Sequence, residues 1–232
     1  MSPRDYRRCR RSSPAWSLPP LPPLPPLPLL PLLPLPLLPL LPLLLLLLLC
    51  ALPGCFGGNA VQEHFYSLSG PRTPLEKGQG PRLLVADFTP AAGYDTAKLA
   101  YRVSDNELRY YAYRQWVSDP PRMVTEMVIR HLRASGRFSQ VSRGDKLRDP
   151  DAVLEGTIDA LEEVDTEDSW KARLAMTFTL RRGDPEKTAM RHAFDVIMPC
   201  AKRNPEEVAR TISSILSRES ERLARLITNA LH

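Results

Sequence analysis

The sequence predicts an α+β fold: a single domain with a mixed or antiparallel sheet and two helices on one face, preceded by a signal peptide. Three observations predict it. Residues 152–198 hold three segments in which apolar and polar residues alternate with a period of two, the mark of strands with one buried face. Two stretches, one after Asp119-Pro120-Pro121 and one after Asn204-Pro205, carry apolar residues at helical spacing, and proline is suited to a first helical turn because its missing N–H has no partner there. Ahead of both lies a long uncharged run of leucine and proline.

That run opens the chain. Met1 to Arg11 carries five arginines against Asp5, and Ser12 to Cys55 has no charge. Prolines recur every two or three residues from Pro19 to Pro42 and forbid a continuous helix, which leaves Leu43 to Leu52 as the proline-free apolar core. Ten residues suit a signal peptide core of about 7–15 residues and fall short of the ~20 needed to span a bilayer. The leader ends at Leu52-Pro53-Gly54-Cys55, which is similar to a bacterial lipobox: leucine three residues before the cysteine and a small residue just before it. Cys50 follows the bulky Leu49 and is the poorer acceptor. Residues 1–54 are thus expected to form a lipoprotein signal peptide, with lipidation at Cys55, a tether over 55–63 and the domain over 64–232. More than one acyl chain gives stable anchoring, whereas one is marginal. Phe56 stands where an aspartate would favour inner-membrane retention, so the expected site is the outer membrane, facing the periplasm.

Taking the five leader arginines and Asp5 from the 31 basic and 26 acidic residues of the chain leaves 26 and 25, a net charge of +1. Such a balance gives nucleic-acid binding no support. Of four cysteines only Cys200 remains after processing and modification, which excludes an intrachain disulfide in the mature form.

Within the domain, His64 to Leu68 suits a small edge strand, and Gly70 to Pro81 a proline- and glycine-rich loop. Leu83 to Phe88 reads as a buried strand. Lys98 to Val103 and Glu107 to Tyr113 form a hairpin around Ser104-Asp105-Asn106. In its second strand Leu108, Tyr110 and Ala112 fall on one face and Arg109, Tyr111 and Tyr113 on the other. Val124, Met127, Val128 and Leu132 give the first helix its apolar face, and Gly136 supplies the left-handed position that commonly ends a helix. Ala152 to Val164, Trp170 to Arg182 and Lys187 to Met198 make an antiparallel meander, the second turning at Gly183-Asp184-Pro185 into a third that carries Ala193, Val196 and Ile197. Asn204, Pro205 and Glu207 cap the closing helix, whose apolar side runs from Val208 to Leu231.

Catalytic signals are missing from the sequence. There is no Gly-rich phosphate loop and no Gly-x-Ser-x-Gly, and His64, His131, His192 and His232 lack metal-ligand spacing. No enzyme activity, cofactor or metal is expected. The acidic run Glu162, Glu163, Asp165, Glu167 and Asp168 offers a cation or basic-partner site or, more simply, a solvated strand end and turn. Tyr101, Tyr110, Tyr111, Tyr113 and Trp116 with Arg102, Arg109 and Arg114 concentrate the residue types that dominate interface hot spots. Arg109, Tyr111, Tyr113 and Trp116 are the candidate partner interface.

The stretch Tyr101-Arg102, Glu107-Leu108-Arg109-Tyr110-Tyr111, Trp116 before the double proline, and Ser135-Gly136-Arg137-Phe138 resembles the ABC-type transport auxiliary lipoproteins of Gram-negative bacteria. This is the group that includes the paraquat-inducible intermembrane transport lipoprotein. The likeness continues through Val153-Leu154-Glu155-Gly156 and the last helix, from about Phe65 to the end. It implies a non-enzymatic outer-membrane lipoprotein working with an ABC permease, its ATPase and a periplasmic protein carrying mammalian-cell-entry domains in moving phospholipid between membranes. It also implies assembly into homo-oligomeric rings. A lipid- or amphiphile-binding lipoprotein acting without a transporter is the alternative.

Overall fold

A computed structural model describes Pro42 and residues 61–71, 78–144, 147–165, 169–182 and 187–232. Cys55, the rest of the leader, Glu167, Asp168 and the Gly183-Asp184-Pro185 turn lie outside these residues. The chain divides into two units, Met1–Gly58 and Asn59–His232. The second holds nine strands and two helices among its described residues: β1 His64–Tyr66, β2 Arg82–Val85, β3 Thr89–Pro90, β4 Lys98–Ser104, β5 Glu107–Trp116, α1 Pro120–Ala134, β6 Gln140–Arg143, β7 Ala152–Asp165, β8 Trp170–Arg182, β9 Thr188–Pro199 and α2 Pro205–Leu231.

The sheet is mixed and built around β7. One edge of β7 pairs along its whole length with β8, antiparallel, and β8 pairs with β9 in the same sense. The opposite edge of β7 is shared by three strands in succession, all parallel to it: β2 at Ala152, β3 at Thr157 and β4 at Glu162. β6 lies beyond β2, whereas β5 and then β1 lie beyond β4. The hairpin β4–β5 and the meander β7–β8–β9 stand where the sequence places them.

Alternation explains the core. Ala172, Leu174, Met176, Phe178 and Leu180 of β8 are buried on the face that carries the helices. A register shift between Ile158 and Ala160 lets β7 keep both Ile158 and Leu161 on that face. α1 contributes Val124, Met127, Val128 and Leu132, and α2 contributes Val208, Ile212, Ile215, Leu216, Leu223 and Ile227. The buried strand expected at Leu83 ends at Val85, and Phe88 enters the core from the following turn. Gly156 makes room for it: a Cβ there would stand 2.7 Å from the Phe88 ring, which packs edge-on against Phe178.

Helix ends follow local chemistry. The Asn204 side chain accepts the Glu207 N–H at 2.8 Å and caps α2. Asp119 precedes α1 without capping it through its side chain. Gly136 has φ of 65° beyond the last turn of α1, the left-handed conformation expected of it. Val196 leans on the core with Met190, Phe194 and Met198, but Ala193 and Ile197 occupy the opposite face, where Ile197 is 52% exposed. The strand is regular there, so its two faces must alternate and cannot carry Val196 and Ile197 together.

Candidate functional site

The hairpin β4–β5 lies against the far end of β7, and its residues divide sharply by partner. Between Lys98↔Gln115 and Ala100↔Tyr110 the ladder shifts register, with extra residues on β5. That irregularity breaks the simple alternation from which Arg109, Tyr111 and Tyr113 were expected to share an outward face.

Arg109 and Tyr113 are exposed, and Arg109 pairs with Glu107 at 2.6 Å on the surface. Tyr111 is not free. Its ring packs on Tyr101 with centroids 4.7 Å apart, the Arg114 guanidinium lies over the ring at 4.7 Å, and its hydroxyl donates to the Glu163 carboxylate at 3.0 Å. Trp116 is 3% exposed and belongs to the core. The interface expectation is therefore corrected for Tyr111, which is half-buried, and for Trp116. Trp116 pairs with Tyr66 of β1 and donates its N–H to the Ala97 carbonyl at 2.7 Å. Tyr110, expected to face inward, is 39% exposed and its hydroxyl donates to the Gly93 carbonyl.

Beneath the hairpin lies the acidic run, which is not a solvated turn at its start: Glu162 and Glu163 are each 1% exposed. Glu162 accepts hydrogen bonds from Tyr94 Oη at 2.5 Å, Arg102 Nε at 2.8 Å and Arg173 Nη1 at 3.1 Å. Arg173 continues the network by donating to both carboxylate oxygens of Asp195 at 2.9 and 2.7 Å. Burial, with Glu162 as its acceptor, pushes the Tyr94 hydroxyl up to about 12. Arg173 holds the Asp195 carboxyl below the usual range. Among the described residues Glu163 has the Tyr111 hydroxyl as its hydrogen-bond donor, and burial raises its carboxyl from 4.5 to about 7. Asp165, half exposed, stands 3.8 Å from Arg203. Cys200 is half-buried, and burial pushes its thiol up.

Sequence reading missed the Glu162 network because its members come from four elements. The one available signal is that adjacent glutamates in a long strand must face opposite sides. The chemistry here is structural: satisfied charges hold a hairpin to a sheet. Among the described residues no group of three or more His, Cys, Asp or Glu side chains is placed to hold a metal ion. No helix among them is long and apolar enough to cross a membrane. The layer between sheet and helices, where the alternative reading seats a lipid, is filled by Leu154, Ile158, Leu161, Met176, Phe178 and Ile215, all buried.

The described domain is an α+β scaffold whose braced hairpin carries the exposed Arg109 and Tyr113. The chain belongs to the family of ABC-type transport auxiliary lipoprotein components, whose model matches residues 66–224. It is accordingly a transport-associated lipoprotein of the cell envelope. Two solved structures share the fold. Protein XCC0632 from Xanthomonas campestris is 19% identical over 72% of this chain and 95% of its own, with a TM-score of 0.61. An uncharacterized protein is 15% identical over 72% of this chain and 99% of its own, with a TM-score of 0.60. A PelC dodecamer from Paraburkholderia phytofirmans overlays with a TM-score of 0.40 at 14% identity, over 65% and 89% of the two chains. No curated protein sequence matches the chain.

Proposed function

We propose that this chain is a non-catalytic accessory subunit of an ABC-type transport system, held by lipid on Cys55 at the outer membrane and facing the periplasm. It receives a periplasmic protein with mammalian-cell-entry domains, while a permease and its ATPase at the inner membrane supply the work. The cargo is phospholipid. The observation that carries this reading is the match of the transport-auxiliary family over residues 66–224. The hairpin supports it locally: Arg109 and Tyr113 remain outside, while Tyr111, Arg102 and Trp116 fix the strands from within. A braced strand that presents arginine and tyrosine loses little conformational freedom on contact, and these residue types recur at binding hot spots.

The test is an Arg109→Ala/Tyr113→Ala variant of the full chain. Both side chains are exposed, so the melting temperature should hold. Co-purification of the periplasmic partner should weaken by about 2 kcal/mol or more, the usual hot-spot scale, roughly a thirtyfold loss. Undiminished capture by the folded variant would remove the hairpin from the interface.

A further inference from the structure

Strand β1 is the border strand on the hairpin side of the sheet: among the described residues it pairs only with β5. Phe65 stands opposite Gln115 of β5, and Gln115 stands opposite Lys98 of β4. Residues opposed in a ladder share a face, so Lys98, Gln115 and Phe65 form a row across three strands. Tyr66, Leu99 and Trp116, each one position further on, turn to the core, so the row lies on the face turned away from it. Phe65 is 61% exposed, and Lys98 is exposed. Val117, 57% exposed, extends the ladder by donating its N–H to the Tyr66 carbonyl at 2.8 Å. Val61, just ahead of β1, is exposed too.

Isolated exposed apolar residues are ordinary on a protein surface, but these are not scattered. Of seven large exposed apolar side chains among the described residues, Val61, Phe65, Tyr113 and Val117 gather at β1 and the adjoining end of β5. Chain length identifies what covers them. Eight residues separate Cys55, the expected lipid anchor, from His64, and such a tether reaches at most about 30 Å. The domain is therefore held close to the bilayer, with β1 its nearest strand along the chain. Val61, Phe65 and Val117 are too few for a specific protein interface, which buries about 800 Å² per partner. An aromatic ring with aliphatic neighbours and a lysine is instead the composition that settles at a lipid interface. Lys98 can reach a phosphate with its ammonium while its stem lies along the apolar row. Glu63, exposed beside it, favours a seat at headgroup depth rather than below it.

We propose that this row is a lipid-contact face: Phe65 and Val117 enter the phospholipid headgroup layer, Lys98 meets its phosphates, and the domain takes a fixed orientation to the membrane. The proposal rests on the lipid anchor at Cys55. The acyl chains supply retention, and the row supplies orientation. It lies at the end of β5 opposite Arg109, so one strand faces lipid at one end and the periplasmic partner at the other, with Tyr113 between them.

Reporter cysteines in the full chain test this, after Cys200→Ser removes the remaining thiol. The protein is purified, its Cys55 acyl chains are read by mass spectrometry, and it is reconstituted into vesicles of phosphatidylethanolamine and phosphatidylglycerol that contain nitroxide-labelled phospholipid. An environment-sensitive fluorophore on Phe65→Cys or Val117→Cys should shift to the blue and be quenched by the nitroxide. One on Ser214→Cys, exposed on α2, should do neither. Phe65→Asp, which sets a charge in the row, should abolish quenching at Val117→Cys without releasing the protein from the membrane fraction. Phe65, Val117 and Ser214 are exposed, so the melting temperature should hold in each variant. An unacylated Cys55 overturns the anchor and this proposal together. With Cys55 acylated, the proposal alone is overturned if the Phe65→Cys reporter stays unquenched, whether in water or under another copy of the chain. It is equally overturned if Ser214→Cys is quenched as strongly, or if Phe65→Asp leaves the Val117→Cys reporter quenched.

Discussion

Glu162 and Glu163 are consecutive in β7 and are buried to the same degree, yet they occupy opposite electrostatic situations. On one face of the sheet Glu162 is enclosed by Arg102, Arg173 and Tyr94. On the other, Glu163 is buried with the Tyr111 phenol as its hydrogen-bond donor. One carboxylate is compensated by fixed positive charge. The other is compensated chiefly by taking up a proton, because desolvation penalises its charged form.

A pH dependence follows from Glu163. Its carboxyl is raised from 4.5 to about 7 on folding, so the folded state holds the proton more tightly than the unfolded state does. Stability from this group is complete below about pH 4.5 and is lost as the pH rises through about 7. Glu163→Gln should therefore melt higher than the wild type at pH 8, and the gain should shrink by pH 5. His131 and His192, both lowered chiefly by burial, act in the opposite sense in each protein and cancel in the difference. A difference in melting temperature that is flat from pH 5 to 8 would show that Glu163 ionises normally.

Gly136 should be needed for its backbone alone. Its φ is 65°, and a Cβ there would meet no atom within 4 Å. Gly136→Val should cost about 1 kcal/mol or more, because a β-branched residue resists the left-handed region, while Gly136→Asn should cost less. Equal melting temperatures for the two variants would show that helix α1 can end without the left-handed turn.

Lipid attachment should depend on Cys55. Cys55→Ser should abolish acyl labelling and leave the domain as a soluble or uncleaved form. Retained labelling that is lost instead in Cys50→Ser would move the anchor to the earlier cysteine.

Much of this fold is legible in the sequence because its signals are local. Periodicity alone marks α1, α2 and the meander, and Asn204, Pro205 and Gly136 mark helix ends within a few residues of themselves. The hairpin is legible because its turn is short. The parallel pairings of β2, β3 and β4 with β7 are not, since they join residues some 60 positions apart and β3 is only two residues long. The site divides in the same way. Arg109 and Tyr113 were readable as exposed, but Tyr111 is half-buried by Tyr101 and Glu163, which lie elsewhere in the sequence, and Tyr110 is exposed. The acidic run resembles surface because its neutralising partners lie elsewhere in the sequence: Arg102 is 60 residues from Glu162.

The shared edge of β7 also sets the order in which the chain can become a protein. β2 and β3 have no partner before β6 and β7, so on a chain that emerges N-terminus first their backbone groups wait while the hairpin β4–β5 and α1 form from local contacts. β7–β8–β9 then closes as a second local unit, and the early strands dock onto its finished border. Loop closure across such separations is slow compared with hairpin formation, and exposed strand edges invite wrong pairing in the interval. A chain cut short before Ala152 would leave β3 without its β7 partner and β2 with β6 alone, which makes the last third of the sequence the part that protects the first.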